Sequence, residues 1–149
     1  MATPSKNETP ATYEDANLLL RLYELRREEK LRKARDWFIK NFHANTIDEF
    51  QKLCPQGSEE NAYYRMVSSY WDMAASFVTN GVLHRDLFIQ NSRELLFVWI
   101  RICDMMPAWR ERLKNPSIAK NIETLANVMI EREKQQGSYE TFRSMVRGA

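Results

Sequence analysis

Hydrophobic positions are densest between residues 61 and 109, where two long apolar segments flank a short connector. In residues 59–80 they recur at helical spacing on two faces, which predicts a helix buried on both sides. Residues 93–106 are apolar almost all round and predict the central helix. Asn80-Gly81 predicts a left-handed helix stop between the two segments. The pattern therefore predicts two buried, antiparallel helices around which the rest of the chain packs.

The segment before them, residues 13–42, contains neither glycine nor proline and predicts one long helix capped by Thr12. About 30 residues at about 1.5 Å each give a helix of about 45 Å, longer than the expected diameter of a globule of this size. We therefore expect this helix to overhang, kink or meet a partner. Leu18, Leu22 and Leu25 recur along it and form the predicted pairing surface.

Shorter helices are predicted on either side of the central pair. The spacing of Thr46 and Glu49 is that of a capping box, which predicts a short helix at 47–53. Near the carboxyl end, Asn115-Pro116 suits the cap and first residue of a further helix, and Gly137 suits its end. A last helical piece is expected after Gly137.

Composition agrees with one helical domain. The chain has 149 residues, of which 44% are hydrophobic and 28% charged, and only 4 glycines and 5 prolines. We expect an all-α fold, a compact helical bundle of five to seven helices with a long N-terminal helix. Residues 1–11 are expected to form a flexible N-terminal arm and residues 12–149 a single domain. No apolar run reaches about 18 residues, so we expect a cytoplasmic protein without membrane attachment.

Charge gives little support for nucleic-acid binding. The formal net charge is +2, from 22 basic and 20 acidic residues, so the chain as a whole does not attract anionic polymers or membranes. In the basic segment 26–36, acids alternate with the bases at spacings that suit a solvated, salt-bridged helix face. A basic ridge for RNA, DNA or lipid headgroups is the alternative, and the interleaved acids weaken it.

Neither a catalytic nor a metal-binding motif is recognisable. The histidines His43 and His84 and the cysteines Cys54 and Cys103 lack diagnostic ligand spacing, and both cysteines lie in apolar runs that suit buried free thiols. Glycine-rich phosphate loops and the GxSxG hydrolase pattern are missing. We expect no cofactor and no metal, and we leave enzymatic activity open as the less favoured interpretation.

Four charged residues in the two buried helices are the candidate ligand-binding residues: Arg65, Asp72, Arg101 and Asp104. Buried charges persist when they are paired and hydrogen-bonded. Because an antiparallel helix pair brings Asp72 and Arg101 into register, we expect a structural ion pair between them. Two alternatives stay open, namely exposure along a narrow edge and a ligand slot between the two helices, lined by these charges and by aromatic rings.

Five segments, spread from Ala16 onward, carry a family resemblance: ANLLLRLYELRREEKLRKARDWF, CPQGSEENAYYRMVSSYWDMAASFVTNGVL, ELLFVWIRICDMMPAWRE, KNPSIAKNIE and GSYETFRSMV. They resemble segments of a bacterial family of small helical proteins with no assigned function. The resemblance implies an all-helical bacterial domain and transfers no catalytic residues. Some members carry an amino-terminal membrane helix, whereas this chain has a polar arm and a charged helix there.

Two hypotheses about function arise from these patterns. The first is a noncatalytic interaction module that self-associates or binds a protein partner through the long N-terminal helix. The second is a small-ligand-binding or enzymatic domain with a charged slot between the two central helices. Nucleic-acid binding by a basic ridge over residues 26–40 is a third and weaker hypothesis.

Overall fold

A computed structural model describes residues 3–148, and the fold over that range is all-helical, without strands. After a 3-10 turn at Lys6–Glu8, its α-helices are α1 (Tyr13–Arg26), α2 (Glu29–Asn41), α3 (Ile47–Leu53), α4 (Glu59–Thr79), α5 (Arg85–Gln90), α6 (Arg93–Ile102), α7 (Met106–Arg112), α8 (Lys120–Gln136) and α9 (Tyr139–Gly148). The all-α prediction is confirmed, whereas five to seven helices is too few for this range. None of these helices is both long and apolar enough to cross a membrane.

The predicted single helix over residues 13–42 is wrong, because the chain turns between α1 and α2. Glu28 leaves the helical conformation (φ −58°, ψ 143°), and its carboxylate accepts a hydrogen bond from Leu31 N at 3.1 Å. Arg35 Nη1 donates to Arg26 O at 3.0 Å, across the turn. The end of α1 is thus held by a side chain of α2, and neither glycine nor proline is needed to break the helix.

Helix α8 has an unexpected place in the packing. It packs extensively against both α4 and α6, whereas the direct contact between α4 and α6 is much smaller. Helix α4 packs on its other side against α2, and α6 packs against α9. The two apolar helices are therefore both buried, as expected, but they are not the directly packed pair that the sequence suggested.

Helix α6 is the most completely buried helix. Its buried residues are Leu95, Leu96, Val98, Trp99, Ile100, Arg101 and Ile102. It ends at Ile102 rather than at Met106, and α7 begins after a short turn. Pro107 lies in the first turn of α7, where its missing N–H group leaves no helical hydrogen bond unmade.

The start of α8 also differs from its predicted position. Asn115 Oδ1 accepts a hydrogen bond from Ser117 N at 2.9 Å, so Asn115 forms a local turn instead of capping a helix. The helix begins only at Lys120, after Ala119 in a left-handed conformation with φ 55°. The turn between α7 and α8 is therefore longer than predicted, and it lies beside an open groove between α3, α4 and α7.

Local capping signals are confirmed where donor and acceptor lie close in sequence. Thr46 Oγ1 accepts from Glu49 N at 3.1 Å and begins α3 as predicted. At the end of α4, Gly81 has φ 75°, and Val82 N donates to Phe77 O at 2.8 Å, as in a Schellman cap. Gly137, with φ 78°, ends α8 in the same left-handed way.

The amino-terminal segment is fastened to the fold. Residues 1–2 of the predicted flexible arm 1–11, like residue 149, lie outside the described residues. Beyond them, Lys6 Nζ lies 3.0 Å from Asp15 Oδ1, and His84 Nε2 donates to Thr9 O at 2.8 Å. Residues 6–9 therefore run along the start of α5 instead of fraying from the domain.

Asp15 is the buried centre of this attachment. Burial alone would raise the pKa of its carboxyl group, but hydrogen bonds from Thr12 N, Lys6, Thr12 Oγ1 and His84 N outweigh burial and lower this pKa to about 2. The bonds from Thr12 N and His84 N are 2.8 and 3.0 Å long. The unfolded chain therefore binds a proton at higher pH than the folded protein does, so Asp15 stabilises the fold above its ordinary pKa and loses that effect as the pH falls towards 2.

Replacing Asp15 is expected to flatten the dependence of stability on pH. Asp15→Asn keeps the shape of the side chain but removes the titration, and it costs about 1 to 2 kcal/mol at pH 7 through weaker hydrogen bonds. Urea unfolding at pH 7 and pH 3 measures the difference, which should be smaller in the variant than in the native protein. Asp48→Asn, at an exposed carboxylate of α3, should keep the native difference. An undiminished difference in Asp15→Asn contradicts the role of this carboxylate.

Candidate functional site

A groove of about 820 Å³ opens between α3, α4, α7 and the turn before α8. Aromatic rings line it, with Phe50 lying 4.8 Å from Tyr64 and 5.2 Å from Trp109 between ring centroids. Its volume falls within the range of about 300 to 1,000 Å³ that is typical of small-molecule sites, which are mainly apolar with a few placed polar groups. This groove is therefore the candidate binding site.

Arg65 is the cationic residue of the groove lining. Its side chain is exposed, and its Nε donates to Asn61 Oδ1 at 3.0 Å. Asn61 is fixed in turn, because its Nδ2 donates to Cys54 O at 3.1 Å and its backbone N donates to Ser58 Oγ at 3.1 Å. The first turn of α4 and the end of α3 together orient the guanidinium group along the groove.

Asp72 also lines the groove, but its carboxylate is occupied by α8. Its Oδ1 accepts from Asn121 N at 3.1 Å and from Ile122 N at 3.2 Å, and its Oδ2 accepts from Asn121 Nδ2 at 3.3 Å. These are free N–H groups of the first turn of α8, which Ala119 does not cap with its own side chain. Asp72 therefore acts as the N-cap of α8, supplied from another helix.

Cys54 is a buried thiol on the wall of the groove. Burial, with a smaller contribution from Glu60, raises the pKa of this thiol to about 11. It is therefore protonated at neutral pH and contributes a small apolar surface. Over residues 3–148, no group of three or more His, Cys, Asp and Glu side chains is arranged to hold a metal ion.

The turn between α7 and α8 forms a strained wall. Lys114 and Ala119 have φ 51° and φ 55°, and within the described range they are the non-glycine residues with positive φ. Such conformations cost about 1 to 3 kcal/mol and persist where surrounding contacts fix them. Here Arg110 Nε donates to Ile118 O at 2.8 Å, and Asn115 N donates to Arg110 O at 2.9 Å. These bonds hold the turn against α7 and shape the groove.

The family model described as a domain of unknown function, DUF4760, matches residues 11–129. The chain belongs to the DUF4760 family. The match includes every residue that lines the groove, whereas α9 lies beyond it. It confirms the resemblance to an uncharacterised family that the sequence segments suggested. No curated protein and no solved structure matched the chain.

The ion pair predicted between Asp72 and Arg101 is wrong for this DUF4760 domain. Asp72 caps α8, while Arg101 Nη1 donates to Phe42 O at 2.6 Å and its Nε donates to Val146 O at 2.8 Å. Arg101 is only 4% exposed, and burial lowers the pKa of its guanidinium group. The two residues do not meet, because α8 packs against both helices that carry them.

The four predicted ligand-binding residues are consequently divided between two places. Arg65 and Asp72 line the groove, whereas Arg101 lines a small cavity at the ends of α2 and α9. Asp104 is exposed, and its Oδ2 accepts from Arg147 Nη1 at 2.8 Å, which lowers the pKa of its carboxyl group. The predicted slot between the two apolar helices is not formed by these residues.

The predicted leucine surface of α1 faces largely inward. Leu22 is buried, Leu18 is half-buried, and only Leu25, near the end of the helix, is 51% exposed. The exposed apolar side chains on the opposite face include Leu20 and Tyr23, at 58% and 45%. The regular spacing of the leucines therefore marks the side of α1 that packs on its own domain.

Sequence reasoning missed the residues that connect the elements. Arg35 makes a two-pronged ion pair with Glu94, with Nε–Oε2 and Nη2–Oε1 distances of 2.8 and 2.9 Å, and Trp71 Nε1 donates to the same carboxylate at 3.0 Å. Glu94 lies in the first turn of α6, and its sequence neighbours do not indicate these distant partners. Likewise, nothing in the spacing of Phe50 and Trp109 indicates that they line one groove.

Removing the Asp72 carboxylate is expected to loosen the start of α8. Asp72→Ala should lower the free energy of unfolding by about 1 to 3 kcal/mol, because two helix N–H groups lose their acceptor, and Asp72→Asn should cost less. Urea unfolding measures the loss, and hydrogen exchange of the Asn121 and Ile122 amides should accelerate. Asp36→Ala, at an exposed acid of α2, should change stability by less than about 0.5 kcal/mol. Unchanged exchange at both amides contradicts the capping role.

Proposed function

We propose that this DUF4760 domain is a noncatalytic binding module whose groove binds an amphipathic organic acid. The observation that carries the proposal is an aromatic lining with one exposed, oriented arginine beside it. The apolar part of the ligand packs on Phe50, Tyr64 and Trp109, and its anionic group meets Arg65. This differs from a slot between the two apolar helices, since the groove lies between α3, α4 and α7.

The balance of charge in the groove favours an anion. Arg65 is exposed, whereas both carboxylate oxygens of Asp72 already accept hydrogen bonds from α8. A cationic ligand would have to compete with the start of α8 for that carboxylate. An anionic ligand gains charge-assisted hydrogen bonds from a guanidinium group that Asn61 already orients.

Binding without chemistry is proposed because three potential nucleophiles of the groove, Cys54, Ser68 and Ser69, are protonated or hydrogen-bonded to the backbone. The Cys54 thiol has a pKa raised to about 11. Ser68 Oγ donates to Tyr64 O at 2.9 Å, and Ser69 Oγ donates to Arg65 O at 2.5 Å, so both hydroxyl groups bond the backbone of their own helix. A nucleophile of this kind needs an adjacent base to become reactive.

A fluorescent sulfonate tests the groove directly. Anilinonaphthalene sulfonate should bind the native protein saturably with one site, and Arg65→Gln should weaken binding roughly tenfold through loss of a charge-assisted hydrogen bond. Arg21→Gln is the matched control, at an exposed arginine of α1, a helix that does not line the groove. Trp109→Ala should also weaken binding, since it removes part of the apolar lining.

Two results would contradict this assignment. If Arg65→Gln and Arg21→Gln bound the sulfonate with equal affinity, Arg65 would not be the residue that contacts the anionic group. If Trp109→Ala bound the sulfonate as tightly as the native protein, the groove would not be the binding site. Native mass spectrometry of the purified protein then identifies any organic acid that copurifies, and its mass guides the choice of natural ligand.

Self-association through α1 is a second candidate, in a form different from the leucine surface expected from the sequence. At about 3.6 residues per turn, Tyr13, Leu20 and Tyr23 lie on the outer side of α1, and they are 78%, 58% and 45% exposed. Two copies of α1 could therefore cover these apolar side chains by packing outer face against outer face.

Light scattering coupled to size exclusion tests the second candidate. A dimer at tens of micromolar is expected, and Leu20→Lys should convert it to a monomer by placing a charge among these apolar side chains. Met145→Lys, at a 62% exposed methionine of α9, should leave the dimer intact. A native protein that is monomeric at this concentration rules out pairing through α1.

We also propose a bacterial and cytoplasmic setting for the module. The resembling family segments are bacterial, and both cysteines are free thiols. Unpaired thiols are usual in the reducing cytoplasm. Recovery of the protein with the membrane or periplasmic fraction of its native cell would contradict this setting.

A further inference from the structure

A second cavity, of about 120 Å³, lies where the ends of α2 and α9 meet α6. Its lining includes the side chains of Arg101 and Arg147, with the exposed residues His43 and Asn45 also bordering it. None of these residues lines the aromatic groove. The cavity is therefore a separate feature of the fold, and a ligand in it is independent of the function proposed for the groove.

Each of the two arginines has a buried N–H donor for which residues 3–148 provide no acceptor. Arg101 donates from Nη1 to Phe42 O and from Nε to Val146 O, but its Nη2 has no acceptor among residues 3–148. Arg147 donates from Nη1 to Asp104, at 2.8 Å, but its Nε is likewise buried without an acceptor in the described part of the chain. Buried donors are normally satisfied, so two unpartnered donors at one cavity point to a ligand.

Among residues 3–148, the lining of this cavity holds two arginines and no carboxylate. Nearby, Asp104 interacts with both Arg143 and Arg147. This single carboxylate can neutralise only one of these two guanidinium groups, and Arg101 adds a third positive charge. Across residues 3–148, Arg101 contacts backbone carbonyls and the Phe97 ring, 4.6 Å from its guanidinium carbon, rather than a carboxylate. The carbonyl ends of α2 and α9 supply only partial negative charge, about half a unit each. A bound anion would complete the balance.

We propose that this cavity binds a tetrahedral oxyanion, either free phosphate or the terminal phosphate of a monoester, through Arg101 Nη2 and Arg147 Nε. Its volume of about 120 Å³ lies well below the range of about 300 to 1,000 Å³ typical of sites for larger organic ligands, so a small anion suits it better than a large organic body. Paired guanidinium groups are the preferred protein partners of phosphate, because their N–H donors match its oxygens. Asn45 at the border supplies a further polar group.

Calorimetric titration with inorganic phosphate at constant ionic strength tests this site. The native protein should bind one phosphate saturably, and Arg147→Gln should weaken the affinity at least roughly tenfold. Arg143→Gln is the matched control, because it removes the same charge from α9 at a residue that does not line the cavity, and it should change the affinity less than about twofold. Absence of saturable binding, or equal weakening by both variants, overturns the proposal.

Nuclear magnetic resonance of the native protein keeps the test independent of how the variants fold. Phosphate should shift the amide resonances of Ala44 and Asn45 along the calorimetric binding curve and leave those of Arg65 and Ser69, in the groove, unmoved. Shifts confined to the groove overturn the proposal.

Binding of acetate as tight as that of phosphate overturns the tetrahedral assignment. If glycerol phosphate binds more tightly than inorganic phosphate, the site takes a monoester; if more weakly, it takes the free ion, and either result supports the proposal.

Discussion

The double hydrogen bond of Arg101 is the contact that ties the ends of α2 and α9 to the most buried helix, α6. Its guanidinium group reaches Phe42 O after α2 and Val146 O in α9, at 2.6 and 2.8 Å. An isolated buried charge is costly, but helix carboxyl ends carry partial negative charge and free carbonyl groups. One cation on the most buried helix therefore contacts the ends of both α2 and α9 without needing a carboxylate. A hydrophobic residue at this position would leave both carbonyls without their donor.

Negative charges do the same work at amino-terminal ends. Asp72, on α4, accepts from the first N–H groups of α8, and Asp15, on α1, accepts from His84 N just before α5. The described helices are between 6 and 21 residues long, so a large share of their backbone groups are end groups that the helix itself cannot satisfy. In such a fold, buried charged side chains therefore form hydrogen bonds to the free backbone groups at helix ends. This is why Asp72 and Arg101 have opposite charges and yet no reason to meet.

Sequence reasoning succeeded where cause and effect lie within one turn of helix. The caps at Thr46 and Gly81, and the strong burial of the segment 93–106, follow from nearby residues and from periodicity. It failed where a side chain of one helix makes the hydrogen bonds that the end of another helix lacks. Arg35 stabilises the break at Glu28 in this way, and Asp72 stabilises the start of α8. Local composition does not indicate which side chain, distant in sequence, will contact a given helix end. The groove was unpredictable for the same reason, because its lining comes from three helices and a turn.

The course of the chain before α8 links the capping pattern to the groove. Asp72 fixes the first N–H groups of α8, and Arg110 fixes the turn before it at Ile118 O, so that turn is held at both ends. Two residues in the left-handed conformation, Lys114 and Ala119, redirect the chain between α7 and α8. A cap formed by Asn115 would have started the helix earlier and replaced part of this turn, whose residues Ser117, Ile118 and Ala119 line the groove. The Asp72 carboxylate, which the sequence suggested as a ligand contact, thus shapes the groove by fixing the start of α8. Arg65 is the charged residue of the lining that remains available to a ligand.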